Sequence, residues 1–478
     1  MRKGLRSLWN GIVNIMGSAG IRLNIWSLFS HKNNNENSIP KNTLVGFAIN
    51  VIIFLLAALT NILIVRTLGP KDQGIYFMVI TINYMIVSLG NMGIGTANAT
   101  FLAQKKYLLS DLNFNSVLTA AGAGGICIVF YLIAGSLLHS TIFQGIDPLY
   151  VFSGISLVPF TLYMSYWNSM MVGLNEIILL NKILLAQTAF SCFSVIIALI
   201  VLKLGINGAI GAWFFTNVIS AITMFFLLHK MDRIKLRINY PTFKGSILFG
   251  LKSHIGGIAT YIWLRLDAFL LNMFHGPSAV GYYSVAVNLT EMLWRFMQPF
   301  YNAVTPKIAG ATKQESEILT TKATRHVFFI LVVVAIVLAP LSPLIIRLLY
   351  GSDYLPAYKP MVILLVGTIG VGVAMPTAMY FVGQLNKPGL LSFLAWINAA
   401  INIILCFALI PSYGVEGAAM ASTMTYIIGF LIIVVVLKKI SGFTLSMLLF
   451  IKREDFRDYL DVFIKIKQLL PSLVKEKT

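Results

Sequence analysis

Charge is what this sequence has least of: Asp, Glu, Lys and Arg make up 11% of its 478 residues, under half of the roughly 25% that soluble domains carry. So few charges cannot clothe a water-soluble surface. Acid is scarcer still, 17 residues against 36 Lys and Arg, for a net charge of +19. The three cysteines, Cys127, Cys192 and Cys406, each sit inside an apolar run with no metal-ligand or pairing pattern, so they read as small buried residues. No GxxxxGK[ST] loop is present, which excludes nucleotide hydrolysis by that route. His139, His229, His254, His275 and His326 fall near the ends of apolar runs, where a solvated or interfacial imidazole is expected, and build no metal cluster with acids. Nucleic-acid binders concentrate Lys and Arg on a folded polar domain. No such domain exists here, so no nucleic-acid partner is expected.

Hydrophobic residues, 58% of the chain, are what is present. They recur in runs near the ~20 residues that cross a hydrocarbon core. Reading between Gly, Pro and charge punctuation predicts an all-α, polytopic membrane protein with about twelve spans, near 43–66, 74–97, 115–138, 149–171, 180–202, 207–229, 247–273, 280–304, 325–349, 360–382, 388–410 and 415–437. Placing the N-terminus inside puts 29 Lys and Arg in cytoplasmic segments and five (Arg66, Lys71, Lys203, Arg347 and Lys359) in outside loops. Positive loops resist translocation, so both termini are expected in the cytoplasm. Residues 1–42 imitate a signal peptide, but Asn10, Gly11 and Asn14 interrupt the apolar stretch; Leu5, Leu8, Trp9, Ile12 and Met16 at helical spacing predict an uncleaved surface helix. Phe456, Leu460, Phe463, Ile466 and Leu470 among Lys and Arg predict a second one, in a cytoplasmic tail of residues 439–478.

The chain also repeats itself. Gly69-Pro70, Gly74 and Tyr76 recur as Gly276-Pro277, Gly281 and Tyr283 at an offset of 207 residues. Gly205, Gly208 and Ala209 recur as Gly414, Gly417 and Ala418 at 209, and Val172-Gly173 as Val382-Gly383 at 210. Ordered matches at nearly one offset predict a duplication. Two six-helix bundles, residues 43–229 and 247–438, follow, joined by a basic linker at 230–246. Six spans being an even number, the halves are parallel repeats about the membrane normal, with a substrate path between them.

An ionisable side chain in a span costs several kcal/mol at the bilayer centre unless paired or hydrated. Four fit well inside spans: Arg265 and Asp267 in the seventh, Glu291 and Arg295 in the eighth. Glu291 and Arg295 stand one helical turn apart in the favourable order for a pair. Arg265 and Asp267 are two residues apart, about 200° around a helix, so one faces the cavity and the other a neighbour. Glu291 is the natural partner for Arg265. The rise of ~1.5 Å per residue places the two arginines at different depths, a ladder able to hold an anionic head group in rigid guanidinium forks. Asn50, Asn61, Asn83, Asn98, Asn217, Asn288, Asn302, Asn398 and Asn402 are many amides for apolar spans, divided between interhelical glue and a lining suited to sugar hydroxyls. Pro299, Pro306, Pro340, Pro343 and Pro376 permit bends.

The stretch from Asn61 through Gly69-Pro70 to Tyr76, then Leu89 to Gly95, resembles the opening of polysaccharide flippases of the Wzx type. Arg265-Leu266-Asp267 through Gly276-Pro277 to Gly281 and Tyr283 resembles that family's seventh and eighth helices. The likeness covers nearly all of residues 43–440 and extends to multidrug and toxic compound extrusion (MATE) proteins and lipid II flippases. It implies a MATE-like fold, no enzyme activity, and export of an undecaprenyl-pyrophosphate-linked oligosaccharide across a bacterial inner membrane for surface polysaccharide synthesis. Cationic residues of the cavity would hold the pyrophosphate, and the residue reading supplies Arg265 and Arg295 for it, with Asn288 as an amide for sugar hydroxyls, as the substrate-binding candidates. Asp267 matches an acid often found at this place in such flippases and, with Glu291, is the candidate for coupling to H⁺ or Na⁺; membrane lipids, a polysaccharide polymerase and a chain-length regulator are the expected partners. No other cofactor is implied. A drug–cation antiporter would need acids dominating the cavity, and a lipid II flippase often carries fourteen helices; both remain alternatives.

Overall fold

The structure, a computed structural model, describes residues 39–232 and 239–455. The expected N-terminal surface helix and the tail helix from Phe456 lie outside the described residues. The chain divides into two compact units, residues 1–49 and 50–478. Residues 39–49 of the first are helical; the second carries everything discussed below.

Among the described residues the fold is helical throughout. Its elements are α1 (Ile39–Gly90), α2 (Ile94–Ala103), α3 (Leu109–Thr141), α4 (Pro148–Ser156), α5 (Val158–Gly173), α6 (Ile177–Val195, running into a π turn), α7 (Gly205–Met231), α8 (Tyr240–Phe296), α9 (Gln298–Gly310), α10 (Lys313–Leu349), α11 (Tyr358–Gly383), α12 (Pro388–Ser441) and α13 (Leu445–Leu449). Eight helical segments among the described residues are long and apolar enough to cross a membrane, or nine when the bent α8 is included.

Burial is inverted relative to a soluble protein. Ile126, Leu132, Ile133 and Leu137 of α3 stand exposed, as do Ile336 and Leu348 of α10, whereas Asn83, Asn98, Ser116, Thr320 and Thr425 are buried. Apolar flanks of this kind find their solvent in lipid. The hydroxyls and amides inside then act as interhelical hydrogen-bonding groups.

Three of the longest helical runs are broken at a glycine. At Gly69 the backbone takes φ 74° and ψ 169°, and at Gly276 φ 75° and ψ −180°. Only glycine adopts such angles without strain, and the proline that follows each is preset for the first turn of a new helix. The same conformation thus sits at the two positions related by the 207-residue offset. Gly414 breaks α12 in a similar way. All three breaks fall where the hydrophobic pattern places a boundary between consecutive spans. The repeat extends to packing: a Cβ on Gly173 would press on Ala99, and one on Gly383 on Ala309, the same neighbour 210 residues on. Pro299 opens α9 immediately after a break at Met297, while Pro306, Pro340, Pro343 and Pro376 lie within helices.

The two corners meet. A Cβ on Gly74 would collide with the Pro277 carbonyl, and one on Gly281 with the Pro70 carbonyl. This reciprocity is what a two-fold relation between the repeats requires, with the axis passing between the corners. Beside it, Gln73 Nε2 donates to Ser284 Oγ at 3.2 Å, and Tyr354 and Tyr350 donate to Val65 O and Asn61 Oδ1 at 2.9 and 3.3 Å.

Candidate functional site

The corner at Gly276 turns α8 back on itself, so the segments carrying Arg265 and Glu291 run side by side. Glu291 Oε1 accepts from Arg265 Nη1 at 2.7 Å, and Oε2 accepts from Arg265 Nη2 at 3.0 Å and from Arg295 Nη2 at 2.7 Å. Both pairings foreseen from spacing are present, on one carboxylate. In place of a ladder of separate anion sites, the two long side chains converge on Glu291. Exposure separates the three, with side chains 17% accessible for Arg265, 9% for Glu291 and 56% for Arg295. Arg295 also lies 5.7 Å from the centre of the Trp294 ring, within cation–π range. A cavity of about 10 Å³, room for about one water, touches Glu291 and is lined further by Thr290, Thr368 and Tyr426.

Asp267 points elsewhere. It is 2% exposed and buried among hydroxyls: Tyr283 donates a short hydrogen bond to Oδ2, Ser422 Oγ donates to the same oxygen at 2.7 Å, and the Ala268 amide donates to Oδ1 at 2.7 Å. The carboxylate thereby joins both arms of α8 to α12. The structure therefore separates Asp267 from the Arg265–Glu291–Arg295 cluster. Asn288, on the same arm as Glu291, is half-buried and makes no hydrogen bond among the described residues.

Most other amides act as glue. Asn83 Nδ2 donates to Gly154 O at 2.9 Å, Asn98 to Ser116 Oγ at 2.8 Å and Asn402 to Thr425 Oγ1 at 3.2 Å. Three histidines expected to be solvated or interfacial also make defined hydrogen bonds. His254 bonds the Ser88 carbonyl, His275 Nε2 the Ile410 carbonyl at 2.8 Å, and His139 Nε2 the Tyr131 hydroxyl at 2.6 Å. A carbonyl only accepts, so His254 and His275 carry their proton on Nε2 and pin one segment to another.

One charged pair escaped the hydropathy reading because Arg325 opens a span and Asp455 lies in the tail beyond the last one. Arg325 of α10 and Asp455 are 6% and 2% exposed, with Nε to Oδ2 at 2.7 Å and Nη2 to Oδ1 at 3.0 Å. Arg325 Nη1 also donates to the Met447 carbonyl at 3.0 Å. Burial raises the Asp455 pKa, but the hydrogen bonds from Arg325 and the Lys452 amide outweigh it and hold the carboxyl at about 2.

Comparison with known proteins adds the following. The family described as "Polysaccharide biosynthesis protein" matches residues 39–312. The probable low-salt glycan biosynthesis flippase Agl15 of Haloferax volcanii is 24% identical over 207 residues, 41% of this chain and 43% of that protein, so the match spans less than half of that relative. The capsular polysaccharide biosynthesis protein CapF of Staphylococcus aureus is 23% identical over 412 residues, 80% of this chain and 96% of that protein. Among solved structures, a multidrug resistance MATE family transporter of the MOP superfamily in an inward-facing conformation superposes with a TM-score of 0.68 at 15% identity, covering 83% of this chain and 99% of that one. The lipid II flippase MurJ in an inward closed conformation gives 0.68 at 15%, covering 85% and 89%. At such identity the two structures establish a shared fold.

Proposed function

The chain belongs to the polysaccharide biosynthesis protein family, and from that premise we propose that it flips undecaprenyl-pyrophosphate-linked oligosaccharide repeat units across a bacterial inner membrane by alternating access. Its flippase-type fold and membrane character are the ground on which the finer reading stands. The observation that carries the finer reading is Arg295: a guanidinium more than half exposed and held by Glu291 through Nη2 alone, inside an apolar helical fold, where a charge needs water, a partner or an anionic ligand. A diphosphate matches its planar fork. We count each glycine-broken run as two crossings, because residues 49–69 and 70–90 each approach the ~20 residues a crossing needs; this gives twelve spans in two bundles, residues 43–229 and 247–438, with both termini cytoplasmic. Arg265 and Asn288 complete the substrate-facing set, and a polysaccharide polymerase and chain-length regulator would take the product.

Coupling to H⁺ or Na⁺ falls to Asp267 and Glu291 in this reading. A drug–cation antiporter is less well supported: Glu291 already meets two guanidiniums and Asp267 is enclosed by hydroxyls, which leaves neither room to pair with a bulky organic cation. The test is a deletion strain complemented with Arg295→Ala at matched protein level. Loss of surface polysaccharide with accumulation of the lipid-linked glycan is expected; normal export from that variant would sink the diphosphate role.

A further inference from the structure

We propose that Glu291 is a built-in stand-in for the substrate's diphosphate, holding Arg295 while the site is empty and surrendering it when the ligand arrives. The inference rests on the flippase reading above and divides the work of the two arginines, which that reading leaves undivided.

The geometry is unequal. Arg265 grips Glu291 with two N–H groups, at 2.7 and 3.0 Å, and is fixed further by its Nη1 bond to the Leu264 carbonyl at 3.1 Å. Arg295 holds the same carboxylate through Nη2 alone. Its Nε and Nη1 have no hydrogen-bond partner among the described residues, and its side chain is 56% accessible against 17% for Arg265. An exposed monodentate pair one turn apart on a helix is weak, whereas a buried pair is costly to break from one side. Arg295 is therefore the detachable member. When Glu291 lets go, Nη2 forms with the neighbouring Nε the bidentate fork that a phosphate oxygen pair takes, the same edge with which Arg325 grips Asp455.

The exchange also keeps every charged side chain of the cluster paired. Before binding, one carboxylate serves two guanidiniums, and the excess positive charge favours an anion. Afterwards the diphosphate takes Arg295, and Glu291 with Arg265 remains a neutral, bidentate buried pair. No side chain of the cluster is left as an unpaired buried ion at either stage. Arg265 is then a positioning residue whose charge is absorbed by Glu291, and Arg295 is the anion ligand.

The experiment measures binding of farnesyl diphosphate and of inorganic pyrophosphate to the purified full-length protein in detergent, at fixed ionic strength, with thermal unfolding as the check on folding. Arg295→Ala should lower affinity at least tenfold, since a charge-assisted bond is lost. Glu291→Gln alone would strand Arg265, so the informative variant is Arg265→Met combined with Glu291→Gln, which removes the buried pair as a unit. With its competitor gone, Arg295 should bind farnesyl diphosphate roughly tenfold tighter than in the parent protein. A double variant as weak as Arg295→Ala would make Arg265 a direct ligand and overturn the exchange, leaving the flippase reading in place. A folded parent protein that binds neither compound would overturn the flippase reading itself. Farnesyl diphosphate binding no tighter than inorganic pyrophosphate would count against a lipid-borne anion, and so against that reading, even with the exchange intact.

Discussion

Asp267 shows how a buried carboxylate is kept in an apolar bundle without a direct cationic partner. Tyr283 and Ser422 donate to one oxygen and the Ala268 amide to the other, which replaces the hydration the group has lost. Replacement by Asn keeps the volume, and both hydroxyls can rotate to accept from the new amide. Asp267→Asn is therefore expected to change stability by less than about 1 kcal/mol, while Asp267→Ala leaves Tyr283 and Ser422 only each other, 3.3 Å apart, with one donor unsatisfied at about 1–3 kcal/mol. If Asp267 carries the coupling ion, Asp267→Asn abolishes transport at normal protein level, measured as surface polysaccharide per unit of membrane protein. Full export from that variant would remove Asp267 from the coupling role. The Arg265–Glu291 pair was legible in the sequence because charges in spans are few and must find each other. The Tyr283–Asp267–Ser422 cluster was not: hydroxyls are common in such spans, and Ser422 comes from 155 residues away, a contact that only the packing of α8 on α12 creates. Asn288 was singled out by residue type alone, and among the described residues it has no hydrogen-bond partner that would distinguish it from other amides.

At the scale of elements, the Gly-Pro corners could be read as two copies of one motif, but no pattern in a chain says that the copies face each other. Gly74 and Gly281 are where they do, each lying against the other corner's proline carbonyl. A backbone carbonyl cannot swing aside as a flexible side chain can, so Gly74→Ala or Gly281→Ala must part the corners, at a cost of about 1–3 kcal/mol. Ser284, fully buried beside this contact and bonded to Gln73, provides the reporter. Ser284→Cys should resist a membrane-impermeant maleimide applied from outside in the parent background and react in both glycine variants. Gly122→Ala serves as control, since nothing lies within 4 Å of a Cβ there. Equal labelling in all backgrounds would mean that the corner contact does not close the path. The same reasoning explains what the histidines taught: His254 and His275 were placed correctly near span ends, but which carbonyl each would pin depends on the crossing of segments far apart in sequence.

Across the whole molecule, the ion pair between Arg325 and Asp455 fixes where the main helical unit hands over to its tail. Phe443 and Leu448 are buried in the same cluster as Tyr380 and Phe381, and Arg325 clamps both the Asp455 carboxylate and the Met447 carbonyl. Hydrophobic burial alone would let this segment slide; the bidentate pair sets its register. Because Asp455 is held at about 2 in the folded protein against an ordinary 3.8, its contribution to docking is complete above the ordinary value and is lost only as pH falls from there through the folded one. Hydrogen exchange over residues 445–455 should accordingly be equally protected at pH 5 and pH 7 once corrected for intrinsic rate, and should lose protection at both in Asp455→Ala. The consequence reaches the proposed transport cycle. A pH dependence of glycan export between pH 5 and 8 would not come from the Asp455 carboxyl, so it must be assigned to another group, His326 beside that carboxyl or one elsewhere, and the same measurement made in Asp267→Asn decides whether that group is Asp267. Protection that changes between pH 5 and 7 in the parent protein would instead make the tail itself part of the proton response.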